Sequence, residues 1–301
     1  MAVTPTETLT PMPTEAEEEA PPRSLVIDTE HLVQDLDSLP AQQAVAVRVL
    51  QVSGDPRSSA VDLADALMGD PAITAQVIRL ANSAYYGLSG RVGTVPFAVT
   101  VVGFVSIRSL VAAFAAGALG SDTPVPDGFW DRAAASASAS SLVASRVDAS
   151  RADAFSLGLL HELGDFLLYR ASPEAYAEVD EAAPHWDCRR RCRVERSLFG
   201  IDHGQALARC LESWLFPDQF VEAIEAHADA SRVGLPLARA LVCGQAISAL
   251  SLRPDHDRHS AADLLGRLHS RLEVGDVEIG QAWPLSRQAR ADAAALSASL
   301  A

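Results

Sequence analysis

Residues 70–87 read DPAITAQVIRLANSAYYG, and this stretch decides the fold class. Asp70 carries a carboxylate that can accept from the free N–H groups of a helix's first turn. Pro71 supplies a φ already suited to the first helical position. Ile73, Val77, Leu80 and Ala81 recur at three- and four-residue spacings, which aligns them on one helix face. Gly87 is a stop signal. The spacing predicts a helix that buries an apolar stripe and carries Asn82, Ser83, Tyr85 and Tyr86 on its last turn.

The same signals recur outward in both directions. Toward the N-terminus, Ser59 and Asp62 form a capping pair for VDLADALM, and Pro40 opens AQQAVAVRVLQV, which Gly54 closes. Toward the C-terminus, Thr94 and Ser106 are expected to cap helices running through Val102 and Leu119. A Ser/Ala-rich helix is expected over 129–147 and another over 152–169. Ser172-Pro173 opens EAYAEVDEAA, and a helix over 184–199 stops at Gly200. Asp202 caps HGQALARCLESWLF, Pro217 opens DQFVEAIEAHA, residues 235–252 form an apolar helix, and two weaker helical patterns follow Pro254. No run of alternating β-branched residues and no internal repeat interrupts the series, so the expected class is all-α.

The turn-rich segment GSDTPVPDG at 120–128 is the expected subdomain boundary. It separates an N-terminal helical subdomain (24–120) from a second one (121–252), with a helical extension over 253–301. Residues 1–23 are rich in Pro, Thr and Glu and include Glu17-Glu18-Glu19, a composition expected to be disordered.

Composition excludes whole chemistries. The chain has 301 residues, 39 acidic and 24 basic, for a net charge of −15 that repels phosphate backbones and argues against a nucleic-acid partner. All 24 basic residues are Arg. Without Lys there is no P-loop, no kinase strand lysine and no Schiff base. Apolar residues make up 49% and aromatics only 6%, so Ala, Val and Leu must fill the core. Cys188, Cys192, Cys210 and Cys243 are not spaced as a disulfide framework. The first residues lack a basic region and an apolar stretch. The apolar segment 92–120 is broken by Gly93, Pro96, Gly103, Arg108 and Gly117, and reads as two buried helices instead of a membrane span. A cytoplasmic protein without a membrane partner is expected.

Three stretches together resemble a known family. They are 70–87, with LANSAYYG at its end; GLLHELG at 158–164; and ERSLFGIDHGQALARCLESW at 195–214, followed by Pro217 and His227. Their order and spacing are similar to the HDOD family, helical signalling modules related to HD-type metal phosphohydrolases, over about residues 32–250. The resemblance implies two helical subdomains, the second an HD-like bundle. It also implies a regulatory role, usually without demonstrated catalysis.

An HD hydrolase holds one or two metals with a first His, an adjacent His-Asp pair and a late Asp, with extra His in two-metal forms. The ion lowers the pKa of a bound water and clamps phosphate oxygens. Here the first His should follow Phe129-Trp130, where the chain reads Asp131-Arg132-Ala133. Arg132 repels a cation. The pair is His161-Glu162, and the helix that should carry the late Asp offers Cys243, Gly244 and Gln245. What survives is His161, Glu162, Asp165, His203 and His227. These are expected to be a vestigial cluster of satisfied core side chains, with no metal, no cofactor and no catalytic residue.

Other groups offer binding chemistry. Asn82, Ser83, Tyr85 and Tyr86 read first as a structural joint against the next subdomain and second as a partner or ligand surface. His185, Cys188 and Cys192, spaced to share one helix face, are candidate zinc ligands with His203 or Cys210, or redox-responsive thiols; ordinary partly buried thiols are the plain reading. RRRCRVER at 189–196 reads as a solvated face, or as a grip for an anion through Arg190, Arg191 and, across the cluster, Arg132. The functional expectation is a non-catalytic module that binds a signalling protein or a nucleotide second messenger. The alternative is a metal-dependent nucleotide phosphohydrolase using His161, Glu162, His203 and His227.

Overall fold

A computed structural model of the chain describes residues 44–118, 124–185, 187–228, 234–253 and 279–300, with His31 and Gln34. The expected disorder over 1–23, the opening at Pro40 and the first pattern after Pro254 lie outside the described residues. Among the described residues every regular element is helical and none is a strand, as the periodicity predicts.

The N-terminal half comprises α1 (Ala44–Gly54), α2 (Ala60–Leu67), α3 (Pro71–Ala81), a short 3-10 turn (Ala84–Tyr86), α4 (Val95–Val102) and α5 (Phe104–Ala115). The caps read from sequence form as expected. Ser59 and Asp62 make a complete capping box on α2, and Asp70 accepts from the N–H groups of Ala72 and Ile73 at the start of α3. The apolar stripe of α3 is buried, with Leu80 fully so. Helix α3 ends at Ala81, short of the expected end. The Asn82 amide donates to the carbonyls of Ile78 (3.1 Å) and Val92 (2.7 Å) and accepts from the Val92 N–H (2.9 Å), clipping the chain into a loop.

Two further boundaries differ from the sequence expectation. Gly103 starts α5 directly, so Ser106 is an interior residue whose Oγ lies 3.2 Å from Ser156 Oγ, and the helix ends at Ala115. Thr94 stands at the cap position of α4 without a side-chain capping bond. No single described helix is long and apolar enough to cross a membrane. Helices α4 and α5 would reach that length together, but they bend by 105° at Gly103.

The second half comprises α6 (Phe129–Ala144), α7 (Arg151–Ala171), α8 (Pro173–Ala182), α9 (Cys188–Phe199), α10 (His203–Ser213), α11 (Asp218–Ala226), α12 (Pro236–Ser251) and α13 (Ile279–Leu300). Helix α6 is the centre, packed on α7, α12 and α13. Its run of Ala and Ser is almost entirely buried, and such small side chains let neighbouring backbones come close. The closest approaches bracket His161. A Cβ on Gly158 would lie 2.5 Å from the Ser136 carbonyl oxygen of α6, and a Cβ on Gly164 would collide with the His203 carbonyl of α10. Glycine at these two positions, three residues on either side of His161, seats that imidazole where three helices meet.

Packing of α5 on α7 joins the halves, and two side-chain contacts add to it. Tyr85 stacks on Phe155 of α7 with ring centroids 4.9 Å apart. Arg108 of α5 is buried, donates to the carbonyls of Trp214 (2.7 Å) and Leu215, and lies 4.5 Å over the Phe216 ring. Helix α13 packs on α6 and α12 and also on α3 and the 3-10 turn.

Candidate functional site

The residues singled out along α7, α9, α10 and α11 converge. The ring centroids of His161, His203 and His227 form a near-equilateral triangle with separations of 5.1, 5.1 and 5.0 Å, and all three are buried. His161 projects from mid-α7, His203 is the first residue of α10 behind the Asp202 cap, and His227 ends α11. Beside them opens a cavity of about 490 Å³ whose lining includes Arg132, His161, Glu162, Arg191, His203 and Gln245.

The two positions where the sequence departs from an HD hydrolase are occupied by groups that satisfy the remaining donors. Arg132 Nε donates to Glu162 Oε2 at 2.8 Å, and its Nη1 donates to the Asp127 carbonyl at 2.7 Å. Burial opposes ionisation of Glu162. The hydrogen bond from His161 and the Arg132 charge outweigh it and hold the carboxyl at about 2. Gln245 Nε2 lies 2.6 Å from His161 Nε2, so an amide N–H takes the lone pair that a metal would need. Burial pushes the His161 imidazole down to about 4, so it is neutral at pH 7.

A divalent ion of the HD type therefore does not fit at His161 and Glu162. The carboxylate carries a guanidinium, the imidazole carries an amide, and a second cation would meet the Arg132 charge at short range. Arg132 thus points into the cluster, and the late acidic position is Gln245.

Asp165 and Arg191 form a second buried unit. Arg191, 1% exposed, donates through Nε to Asp165 Oδ1 (2.9 Å) and through Nη1 to Asp180 Oδ1 (2.8 Å) and the Ala183 carbonyl (3.1 Å). Its Nε also lies 3.3 Å from Glu195 Oε1. Burial opposes ionisation of Asp165, but the Arg191 charge holds its carboxyl well below the usual range. The reading of Arg191 as part of a solvated basic face is therefore corrected. Position 191 falls on the inner face of α9, and its charge is consumed by three acids. Arg190 stays half-buried near the helix start, where its backbone N–H meets the Asp187 cap.

His203 is held by Glu195, whose Oε2 accepts from the His203 backbone N–H (2.9 Å) and from Nδ1 (2.6 Å). Burial opposes charging of His203, but the Glu195 carboxylate raises its pKa well above the ordinary value. His203 Nε2 faces His227 Nε2 at 3.0 Å, and His227 Nδ1 is bound to the Ile224 carbonyl. Cys188 Sγ lies 3.8 Å from Cys192 Sγ, which lies 3.9 Å from His203 Nδ1. The hydrogen bond with Cys192 pulls the Cys188 thiol down to about 7.

The expected His185–Cys188–Cys192 face is not formed. Helix α9 begins at Cys188 with Asp187 as its cap, not at Pro184, and His185 pairs with Asp180 at 3.4 Å. Cys210 is buried elsewhere on α10, outside this cluster. The sequence missed Glu195 and Gln245 as partners of the cluster. Glu195 was visible as the one acid in a basic run. Among the residues at the end of α3, Asn82 is the loop clip, Ser83 is buried at the start of the 3-10 turn, and Tyr85 and Tyr86 pack edge to face with centroids 5.0 Å apart.

An all-helical scaffold with a histidine triangle on three adjoining helices, and a guanidinium paired to the acid beside it, defines a protein of the HD-like helical class. A family model for the HDOD domain matches residues 39–230, and the chain belongs to that family. A Shewanella amazonensis SB2B protein provisionally named a phosphohydrolase shares 25% identity at a TM-score of 0.69, over 91% of this chain and 99% of its own. A Marinobacter aquaeolei VT8 protein provisionally named a signal transduction protein shares the fold, at 22% identity and a TM-score of 0.63, over 93% of this chain and 68% of its own. An uncharacterized protein of Treponema pallidum (strain Nichols) is 23% identical over 215 residues, 68% of this chain. The match spans 42% of that relative's length.

Proposed function

We propose that this chain is a non-catalytic HDOD regulatory module that works in the cytoplasm by binding a signalling partner, with its cavity available to an anionic ligand such as a nucleotide second messenger. The single observation that carries the reading is the 2.8 Å pair between Arg132 and Glu162. A permanent internal cation occupies the carboxylate that water activation would require. The cavity supports the ligand half of the reading. At about 490 Å³ it falls within the usual range for small-molecule sites, and Arg132 Nη2 on its wall has no hydrogen-bond partner among the described residues.

The competing reading is a metal-dependent nucleotide phosphohydrolase, favoured by the three imidazoles 5.0–5.1 Å apart. Purified protein incubated with cyclic dinucleotides and guanosine tetraphosphate, with Mn²⁺ or Mg²⁺, separates the two. The regulatory reading expects no product above the protein-free control. Turnover that disappears in His161→Ala would replace it with the hydrolase.

A further inference from the structure

Four soft donors converge where α9, the start of α10 and the end of α11 meet. Cys188 and Cys192 are four residues apart on one face of α9, and their sulfurs are 3.8 Å apart. Two thiolates on a tetrahedral zinc, with metal–sulfur bonds of about 2.3 Å, are separated by about that distance. His203 and His227 complete the group, and one ligand atom from each of the four residues lies within 4.8 Å of all the others.

The tautomers are fixed by what the other ring nitrogens do. His203 Nδ1 must carry its proton, because its partner is the Glu195 carboxylate at 2.6 Å. His227 Nδ1 must carry one too, because its partner is the Ile224 carbonyl. The two Nε2 atoms face each other at 3.0 Å; the proton that the Glu195 carboxylate keeps on His203 lies between them in the metal-free chain, in the place a bound cation would take. A carboxylate or backbone carbonyl behind each ligating imidazole is the outer support that metal sites use to orient their rings. Cys188, half-buried, and His203 both line the cavity, which gives an ion a path inward.

We propose that Cys188 Sγ, Cys192 Sγ, His203 Nε2 and His227 Nε2 bind one soft divalent cation, zinc or an ion of like chemistry, in a closed four-ligand site. Binding releases the two thiol protons and the His203 Nε2 proton to solvent, and the two thiolates neutralise the ion. The nitrogens open from 3.0 Å to about 3.3 Å, the edge of a tetrahedron with zinc–nitrogen bonds of about 2.0 Å. Four protein ligands leave no position for water, so the ion ties α9 to α10 and α11 without creating a nucleophile. It lies apart from the Arg132–Glu162 position and does not depend on the regulatory reading.

The test uses the full chain, purified reduced and metal-free, and titrated with Co²⁺ and then Zn²⁺. The expected result is one equivalent bound, with thiolate-to-cobalt charge-transfer absorption and the intense visible bands of tetrahedral cobalt, both erased by Zn²⁺. Cys188→Ser and Cys192→Ser each remove the charge-transfer intensity of one thiolate, and His185→Ala leaves the spectrum unchanged. Zinc also protects two thiols from an aromatic disulfide reagent in the unsubstituted chain, a readout that needs no variant to fold. Cobalt binding without thiolate bands, an unchanged spectrum in the cysteine variants, a lost spectrum in His185→Ala, or no zinc protection would overturn the site. The shared cation would then be a proton.

Discussion

The guanidinium of Arg132 on α6 is bonded to the carboxylate of Glu162 on α7 at 2.8 Å, with both side chains largely buried. Removing one partner of such a pair leaves the other as an uncompensated buried charge, at a cost of about 3–5 kcal/mol. Arg132→Ala should therefore lose stability on that scale in urea denaturation, and Arg132→Met with Glu162→Gln should recover most of it. A single variant that loses under about 1 kcal/mol would mean that solvent already screens the pair.

Low pH should unfold the chain through the same cluster. The folded pKa of Glu162 is about 2, below its ordinary value of 4.5. Its stabilising contribution is present above that ordinary value and is lost as the pH falls toward 2. His161, at about 4 instead of 6.5, acts in the same direction. The unfolded chain binds its proton first, so on the order of 3 kcal/mol is lost between pH 6.5 and 4. The denaturation midpoint should fall across both windows, and His161→Gln should flatten the upper one. A midpoint independent of pH from 6.5 to 4 contradicts the neutral buried imidazole.

Arg108 should behave as a rivet between the halves. It reaches the Trp214 and Leu215 carbonyls, and burial pulls it down to about 10. Hydrogen bonds to a charged group contribute about 1.5–3 kcal/mol each. Arg108→Leu should cost at least about 2 kcal/mol and expose the linkage around Leu215 to proteolysis before the rest of the chain. Simultaneous cleavage everywhere would assign Arg108 to general packing.

Leu80 and Leu160, 0% and 1% exposed, were legible as core from spacing alone. Truncation of either to Ala should cost about 2–5 kcal/mol by denaturant titration. A value below about 1 kcal/mol would show that the neighbouring helices collapse into the gap.

Local signals carried most of the fold. The caps at Ser59, Asp70, Ser172 and Asp202 form because each depends on atoms within three residues. Ser106 failed as a cap because Gly103, with φ of 84°, breaks the chain earlier and leaves Ser106 inside α5. His185 failed as a helix-face neighbour of Cys188 because helical spacing has no meaning before the helix begins at Cys188. The substitutions at Arg132 and Gln245 were visible in the sequence, but their partners were not. That Arg132 meets Glu162, Gln245 meets His161 and Cys192 meets His203 depends on the packing of α6, α7, α9, α10 and α12, which no local pattern encodes. Arg191 misled because a charged run looks solvated unless the acids that cover it are known.

The most direct test of the central claim is Mn²⁺ binding followed by the electron paramagnetic resonance signal of the free ion. Mn²⁺ prefers oxygen and imidazole donors and competes poorly for thiolates. The unsubstituted chain should leave the free signal undiminished. Arg132→His with Gln245→Asp, which removes the internal cation and supplies two ligands, should reduce it stoichiometrically. One Mn²⁺ bound by the unsubstituted chain and lost in His161→Ala would contradict the account.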